Sequence, residues 1–175
     1  MTAQIIRDYF FQFVCGIPDE VWMQVWSFLA LSVIVIGVGL WRRKSLRVPS
    51  AILLCVYICI ILLYTLLHRG DGSVSGYNFM PLWSYRAIYD GQLSLVIENG
   101  MNVLLFIPAG LLAGMALSRI SLMHVIVGGF LFSFGIEVMQ YMQSKGFAEF
   151  DDVIHNTLGC VIGFGISKLI RKIEN

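Results

Sequence analysis

The sequence predicts an all-α integral membrane protein, a helical bundle of about five transmembrane helices with an N-terminal interfacial helix. Three observations support that expectation. Hydrophobic residues make up 58% of the chain and charged ones only 13%, whereas soluble domains are about half apolar and about a quarter charged. Uncharged runs recur at the roughly 20 residues a helix needs to cross a hydrocarbon core. Lysine and arginine crowd alternate connections between those runs, as expected of a multi-pass protein.

Residues 1–20 form an N-terminal segment. Its aromatic stretch 5–14 carries Arg7 and Asp8 and stops at Gly16-Ile17-Pro18. That is too short for a span and lacks the basic start and cleavage site of a signal peptide, so a helix lying in the interface is expected. Residues 21–175 read as one transmembrane domain, with spans over 21–41, 49–67, 102–118, 122–142 and 153–170 and an outer loop over 69–98. Pro108 interrupts the third span and cannot donate to the Leu104 carbonyl, so a kink or local opening is expected there. Trp22, Trp26 and Trp41 read as a membrane-interface belt. Cys15, Cys55, Cys59 and Cys160 show no metal-ligand spacing.

Orientation follows from the basic residues. Arg42, Arg43, Lys44, Arg47, Arg119, Lys168, Arg171 and Lys172 fall in one set of connections. Arg69, Arg86 and Lys145 share the opposite set with Asp71, Asp90, Glu98, Glu149, Asp151 and Asp152. The N-terminus is thereby expected outside and the C-terminus in the cytoplasm, with the loop 69–98 and the acidic stretch facing outward. A net charge of +1, without a basic patch interleaved with aromatics, gives no reason to expect nucleic acid.

The last span opens with Glu149-Phe150-Asp151-Asp152-Val153-Ile154-His155-Asn156-Thr157-Leu158-Gly159. On a helix, Asp152, His155, Asn156, Gly159 and Gly163 share a stripe. The fourth span carries Gly129, Ser133, Glu137, Gln140 and Ser144 at helical spacing, and the third opens with Asn99 and Asn102 on the face of Phe106 and Ala109. The outer ends of these three spans are therefore expected to share one polar notch. Below it, small residues in spans four and five would permit close approach. Glu137 lies one to two turns inside the boundary. An unpaired acid there costs on the order of 2.5–3.5 kcal/mol, so it should face the bundle or a wet cavity. There it would be available as a general acid or base.

A plainer reading stands beside this one. Asn102, Ser133, Gln140, Asn156 and Thr157 also suit ordinary interhelical hydrogen bonds, and Asp151-Asp152 suits a helix N-cap. It fits Glu137 least well. One histidine among carboxylates, without a paired-histidine helix, leads to no expected metal and no cofactor. Ser133 lacks the strand-turn-helix elbow of a serine nucleophile.

With these residues collected, the chain resembles the VanZ-like family, small bacterial membrane proteins named for a teicoplanin-resistance determinant. The resemblance runs from about Tyr64 to Gly163. Its stretches are Leu63-Tyr64-Thr65-Leu66-Leu67-His68-Arg69, Tyr77-Asn78-Phe79-Met80-Pro81-Leu82, and the run from Glu98-Asn99-Gly100-Met101-Asn102 to Pro108-Ala109-Gly110. Ser133, Glu137 and Gln140 match the family's serine, glutamate and glutamine, and the run from Asp151 to Gly159 is its most specific stretch. Lys145 stands where the family commonly has arginine, Leu82 where phenylalanine is usual, and Ala109 where leucine is frequent.

The resemblance implies a multi-pass protein of the bacterial cytoplasmic membrane that supports tolerance to teicoplanin-like lipoglycopeptides. The expected partners are the lipid bilayer and either the glycopeptide antibiotic or a lipid-linked cell-wall precursor, and a homodimer would make up for the small size. Expected ligand contacts are Arg69, Asn78, Asn99, Asn102, Ser133, Gln140, Lys145, Asp151 and Asn156. In the alternative of a membrane-embedded enzyme, Glu137 would act as acid or base, with Asp152 or His155 orienting water. A small transporter or flippase is a further alternative, although no inverted repeat or polar route across the membrane supports it.

Overall fold

The computed structural model describes residues 46–67, 76–117, 119–143 and 147–174, together with Gln4, Arg7 and Asp8. The described helices are α1 (Arg47–Leu67), α2 (Trp83–Tyr89), α3 (Ser94–Ala116), α4 (Leu122–Met142) and α5 (Phe150–Glu174). Of these, α3, α4 and α5 are long and apolar enough to cross a membrane. The first predicted span, 21–41, lies outside the described residues, as does most of the N-terminal segment 1–20, where Gln4, Arg7 and Asp8 are helical. Helix α4 has the predicted bounds because the Ser121 side chain caps it, accepting from the His124 N–H. Helix α3 begins at Ser94, well inside the stretch expected to be outer loop.

The helices alternate in direction, so one end of the bundle collects the end of α1, the start of α3, the end of α4 and the start of α5. Among the described residues, this end departs from the all-helical expectation. Strands β1 (Gly76–Asn78) and β2 (Phe147–Glu149) pair in parallel, Gly76 opposite Phe147, Tyr77 opposite Ala148 and Asn78 opposite Glu149. Parallel strands need a crossover connection, and here α2, α3 and α4 supply it. Gly76 lets the Phe147 ring lie over its backbone, since a Cβ there would fall 2.3 Å from the ring and turn it aside. Three-residue strands of this kind leave no periodic signal strong enough to read beforehand.

The closest helix pair is α3 with α5. Gly110 and Gly114 on α3, and Gly159 and Gly163 on α5, each form a four-residue repeat of small residues. A Cβ at Gly110 would fall 1.9 Å from the Cys160 carbonyl oxygen, one at Gly159 2.2 Å from that of Val103, and one at Gly163 2.0 Å from that of Ile107. The two backbones touch, as small-residue repeats allow between apolar helices. The close approach expected from the small residues of span five is thus made with α3, and that of span four is looser. A Cβ at Gly129 of α4 would meet the Cys160 sulfur at 3.2 Å and the Thr157 Cα only at 3.7 Å.

Pro108 does not end α3. The Tyr57 hydroxyl of α1 donates to the Leu105 carbonyl at 2.6 Å, bracing the backbone beside the proline. At the far end Arg171 Nη2 donates to the carbonyls of Met115 and Leu117 at 3.0 and 3.2 Å, placing a cation on the C-terminus of α3. The core between these ends joins Leu53, Tyr57 and Ile61 to Phe106, Leu112, Ile136 and Phe164.

Candidate functional site

The polar residues of the sheet end are buried and bonded mainly to one another. Asp151, with no exposed surface, accepts from the backbone N–H groups of Leu82 and Ser84 and from the Ser84 hydroxyl at 2.6 Å. It thus serves the first turn of α2, a different helix from the one it opens. A carboxylate suits those exposed N–H groups, which is the capping chemistry expected of it. Leu82 reaches Asp151 by adopting φ 61°, in the left-handed region a leucine seldom enters. Asn99 Nδ2 donates to the Ser84 hydroxyl at 3.0 Å, so α3 holds the same turn from below.

The α5 stripe divides among three neighbours. At about 100° per residue, Asp152, Gly159 and Gly163 form its centre, with His155 on one edge and Asn156 on the other. The centre faces α3, where Asn102 Nδ2 donates to Asp152 Oδ1 at 2.7 Å. His155 Nε2 is hydrogen-bonded to the Tyr85 hydroxyl of α2, 2.9 Å away. Asn156 Nδ2 donates to the Ser133 hydroxyl of α4 at 2.8 Å. On α5, two buried polar atoms remain without a hydrogen-bond partner, His155 Nδ1 and Asn156 Oδ1. Buried polar atoms in native structures are nearly always satisfied, so both are places for a water or a ligand atom.

On α4, Gly129, Ser133, Glu137 and Gln140 are all buried, as their spacing requires. Glu137 Oε2 accepts the backbone N–H of Glu149 at 3.0 Å. Gln140 Nε2 donates to the Thr65 carbonyl of α1, also at 3.0 Å. Asn78 uses its side chain locally, accepting from the Met80 N–H at 3.1 Å, and contributes to the cluster through its strand. Arg69, Lys145 and Ser144 lie outside the described residues.

Three participants escaped sequence reasoning: Ser84, Tyr85 and the Glu149 side chain. Ser84 and Tyr85 belong to an irregular connection with no period to follow, and only Pro81 hints at a turn there. The Glu149 carboxyl is pushed up from 4.5 to about 7, by burial first, then by Asp152, Glu98 and Asp151. The Trp83 indole lies alongside and partly offsets that rise, although its N–H falls outside hydrogen-bond geometry. Above the cluster, Tyr77, Phe79, Met80, Leu82, Tyr85 and Tyr89 expose apolar and aromatic surface. Tyr77 stacks on Phe79 at 5.3 Å and meets Tyr141 of α4 edge-on at 5.9 Å.

Long apolar helices packed through glycine, with polar groups gathered at one end under an aromatic roof, define a membrane-type helical bundle. The VanZ/LLP1 family model matches residues 51–171, and the chain belongs to the VanZ-like family. That match takes in all the described residues of the cluster. No curated protein and no solved structure matches the chain.

Proposed function

We propose that this VanZ-like protein supports bacterial tolerance to teicoplanin-type lipoglycopeptides from the cytoplasmic membrane. In this reading the sheet end faces outward and engages the drug or a lipid-linked cell-wall component. One observation favours it above others: the buried polar cluster bonds directly to Leu82 and Tyr85, in a segment whose aromatic and apolar side chains are exposed. An acylated glycopeptide or a lipid-linked precursor offers the same combination of polar groups and a chain for the bilayer. The orientation is supported by charge. Arg47, Arg119, Lys168, Arg171 and Lys172 lie toward the far end, while Glu98, Glu149, Asp151 and Asp152 lie at the sheet end.

Binding is favoured over catalysis because the carboxylates are used as acceptors. Asp151 holds α2, Asp152 holds Asn102 and Glu137 holds Glu149. One observation favours the alternative of an enzyme acting on a lipid-linked envelope substrate. His155 keeps Nδ1 without a partner while Tyr85 fixes the other ring nitrogen.

The test is tolerance in a strain lacking the gene, complemented with wild-type, Asn102→Leu or Glu137→Gln protein. Both an acylated glycopeptide and one without an acyl chain are tried. The binding reading expects Asn102→Leu to lose tolerance to the acylated drug and Glu137→Gln to keep it. Unchanged susceptibility on deletion would remove the proposal. A mass change in drug or precursor incubated with purified protein would replace it with the enzyme.

A further inference from the structure

Residues 77–89 fall in the region expected to be an outer loop, but their surface is not that of a loop in water. Tyr77, Phe79, Met80, Leu82, Tyr85 and Tyr89 are each more than half exposed. Contiguous apolar exposure of this kind marks an interaction surface. On α2, Tyr85, Arg86 and Tyr89 fall within about 100° of one another, and buried Ser84 lies on the opposite side. Arg86 is exposed, and among the described residues its guanidinium has no carboxylate within salt-bridge distance. The outward face of α2 thus combines aromatic rings with one uncommitted cation.

Two features fix where this face stands. Outward, Tyr77 meets Tyr141 edge-on at 5.9 Å, and Tyr141 and Met142 are themselves exposed. The patch therefore runs on into the outer surface of α4, a helix long and apolar enough to cross a membrane. Inward, Asp151 holds Leu82 and Ser84 while His155 holds Tyr85, both from the start of α5. Those two α5 residues lie about 6 Å apart along the helix axis. Helix α2 is thereby tied beside the mouth of an apolar span that begins at Phe150. The headgroup layer on each side of a bilayer is about 5–8 Å deep, which matches that level.

We propose that α2 is an interfacial helix whose Tyr85, Arg86 and Tyr89 face lies in the lipid headgroup layer, with Arg86 on lipid phosphate oxygens. Tyrosine suits a boundary that is apolar on one side and wet on the other, and a guanidinium pairs with phosphate through parallel N–H donors. Asp151 and His155 set the depth, and the bilayer covers the face. The inference rests on the bilayer-crossing helices and not on the drug role, and it holds for whichever leaflet the sheet end meets.

Full-length protein with Cys15, Cys55, Cys59 and Cys160 changed to Ala takes one nitroxide, at position 89 (Tyr89→Cys) or at position 131 (Leu131→Cys), on the exposed middle of α4. It is reconstituted into vesicles of phosphatidylcholine and phosphatidylglycerol. Each label collides with oxygen, which concentrates in lipid, and with a neutral nickel chelate, which stays in water. The oxygen-to-chelate ratio at 131 gives the bilayer interior, and that of free nitroxide in buffer gives water. At 89 the ratio is expected between these, several-fold above the buffer value. Arg86→Gln should lower it at 89 and leave it unchanged at 131. A ratio at 89 equal to that in buffer overturns the docking, and one that Arg86→Gln leaves in place overturns the phosphate contact. A ratio that rises only on adding the acylated glycopeptide gives the face to the drug and overturns the lipid assignment. A raised ratio in drug-free vesicles, beside unchanged susceptibility on gene deletion, removes only the drug role.

Discussion

Glu137 and Glu149 meet through one partly buried hydrogen bond, the carboxylate of the first accepting the backbone N–H of the second at 3.0 Å. The acid that looked most like a catalytic group thus holds the strand leading into α5. Glu137→Gln keeps a carbonyl acceptor for that N–H, whereas Glu137→Leu leaves it without one. Glu137→Leu should be the less stable by about 1–3 kcal/mol in denaturant unfolding from detergent micelles. Equal stability of the two would mean the bond contributes nothing.

Asp151 holds α2 through Leu82 and Ser84. Asp151→Ala removes all three bonds and leaves buried donors behind, a loss of about 3 kcal/mol or more. Exchange of the Leu82 and Ser84 amides should quicken in this variant while that of α4 stays slow. Asp151→Asn retains one good acceptor and should fall between Ala and wild type.

The glycines of the α3–α5 contact separate from those facing open space. Gly159→Ala or Gly163→Ala places a methyl group against carbonyl oxygens of α3, and each should cost about 1–3 kcal/mol through overpacking. Gly165 has nothing within 4 Å of a built Cβ, and Gly165→Ala should be neutral or stabilising by up to about 1 kcal/mol through helix propensity. Thermal unfolding of the three variants in one detergent checks the order. A destabilised Gly165→Ala beside a stable Gly159→Ala would contradict this packing.

Leu82 offers a case where glycine should help. Its left-handed backbone costs a leucine about 1–2 kcal/mol, and its side chain is mostly exposed. Leu82→Gly removes that cost against a backbone-entropy loss of about 0.5–1 kcal/mol, so a small net stabilisation is expected. Leu82→Val should destabilise, because a β-branched residue fits φ 61° worse still. Melting temperatures moving in the same direction for both would refute this reading of the turn.

By itself the chain determined where long apolar helices lie, which faces of α4 and α5 are polar, and that Glu137, Asp152, His155 and Asn156 turn inward. Those features follow from local rules, the length of a hydrocarbon crossing and the 3.6-residue period, which act within one segment at a time. The bounds of α4 were readable because its cap, Ser121, is a neighbour in sequence. Only the tertiary structure decided which residues meet. Asp151 bonds to Ser84 across 67 positions, Tyr85 to His155 across 70, and the two strands pair over three intervening helices. Such pairings depend on how whole helices cross, and here that is set by glycine contacts whose closeness no periodicity records. The polar stripe of α5 was visible in the residues; its division among α2, α3 and α4 came from where those three helices stand around it.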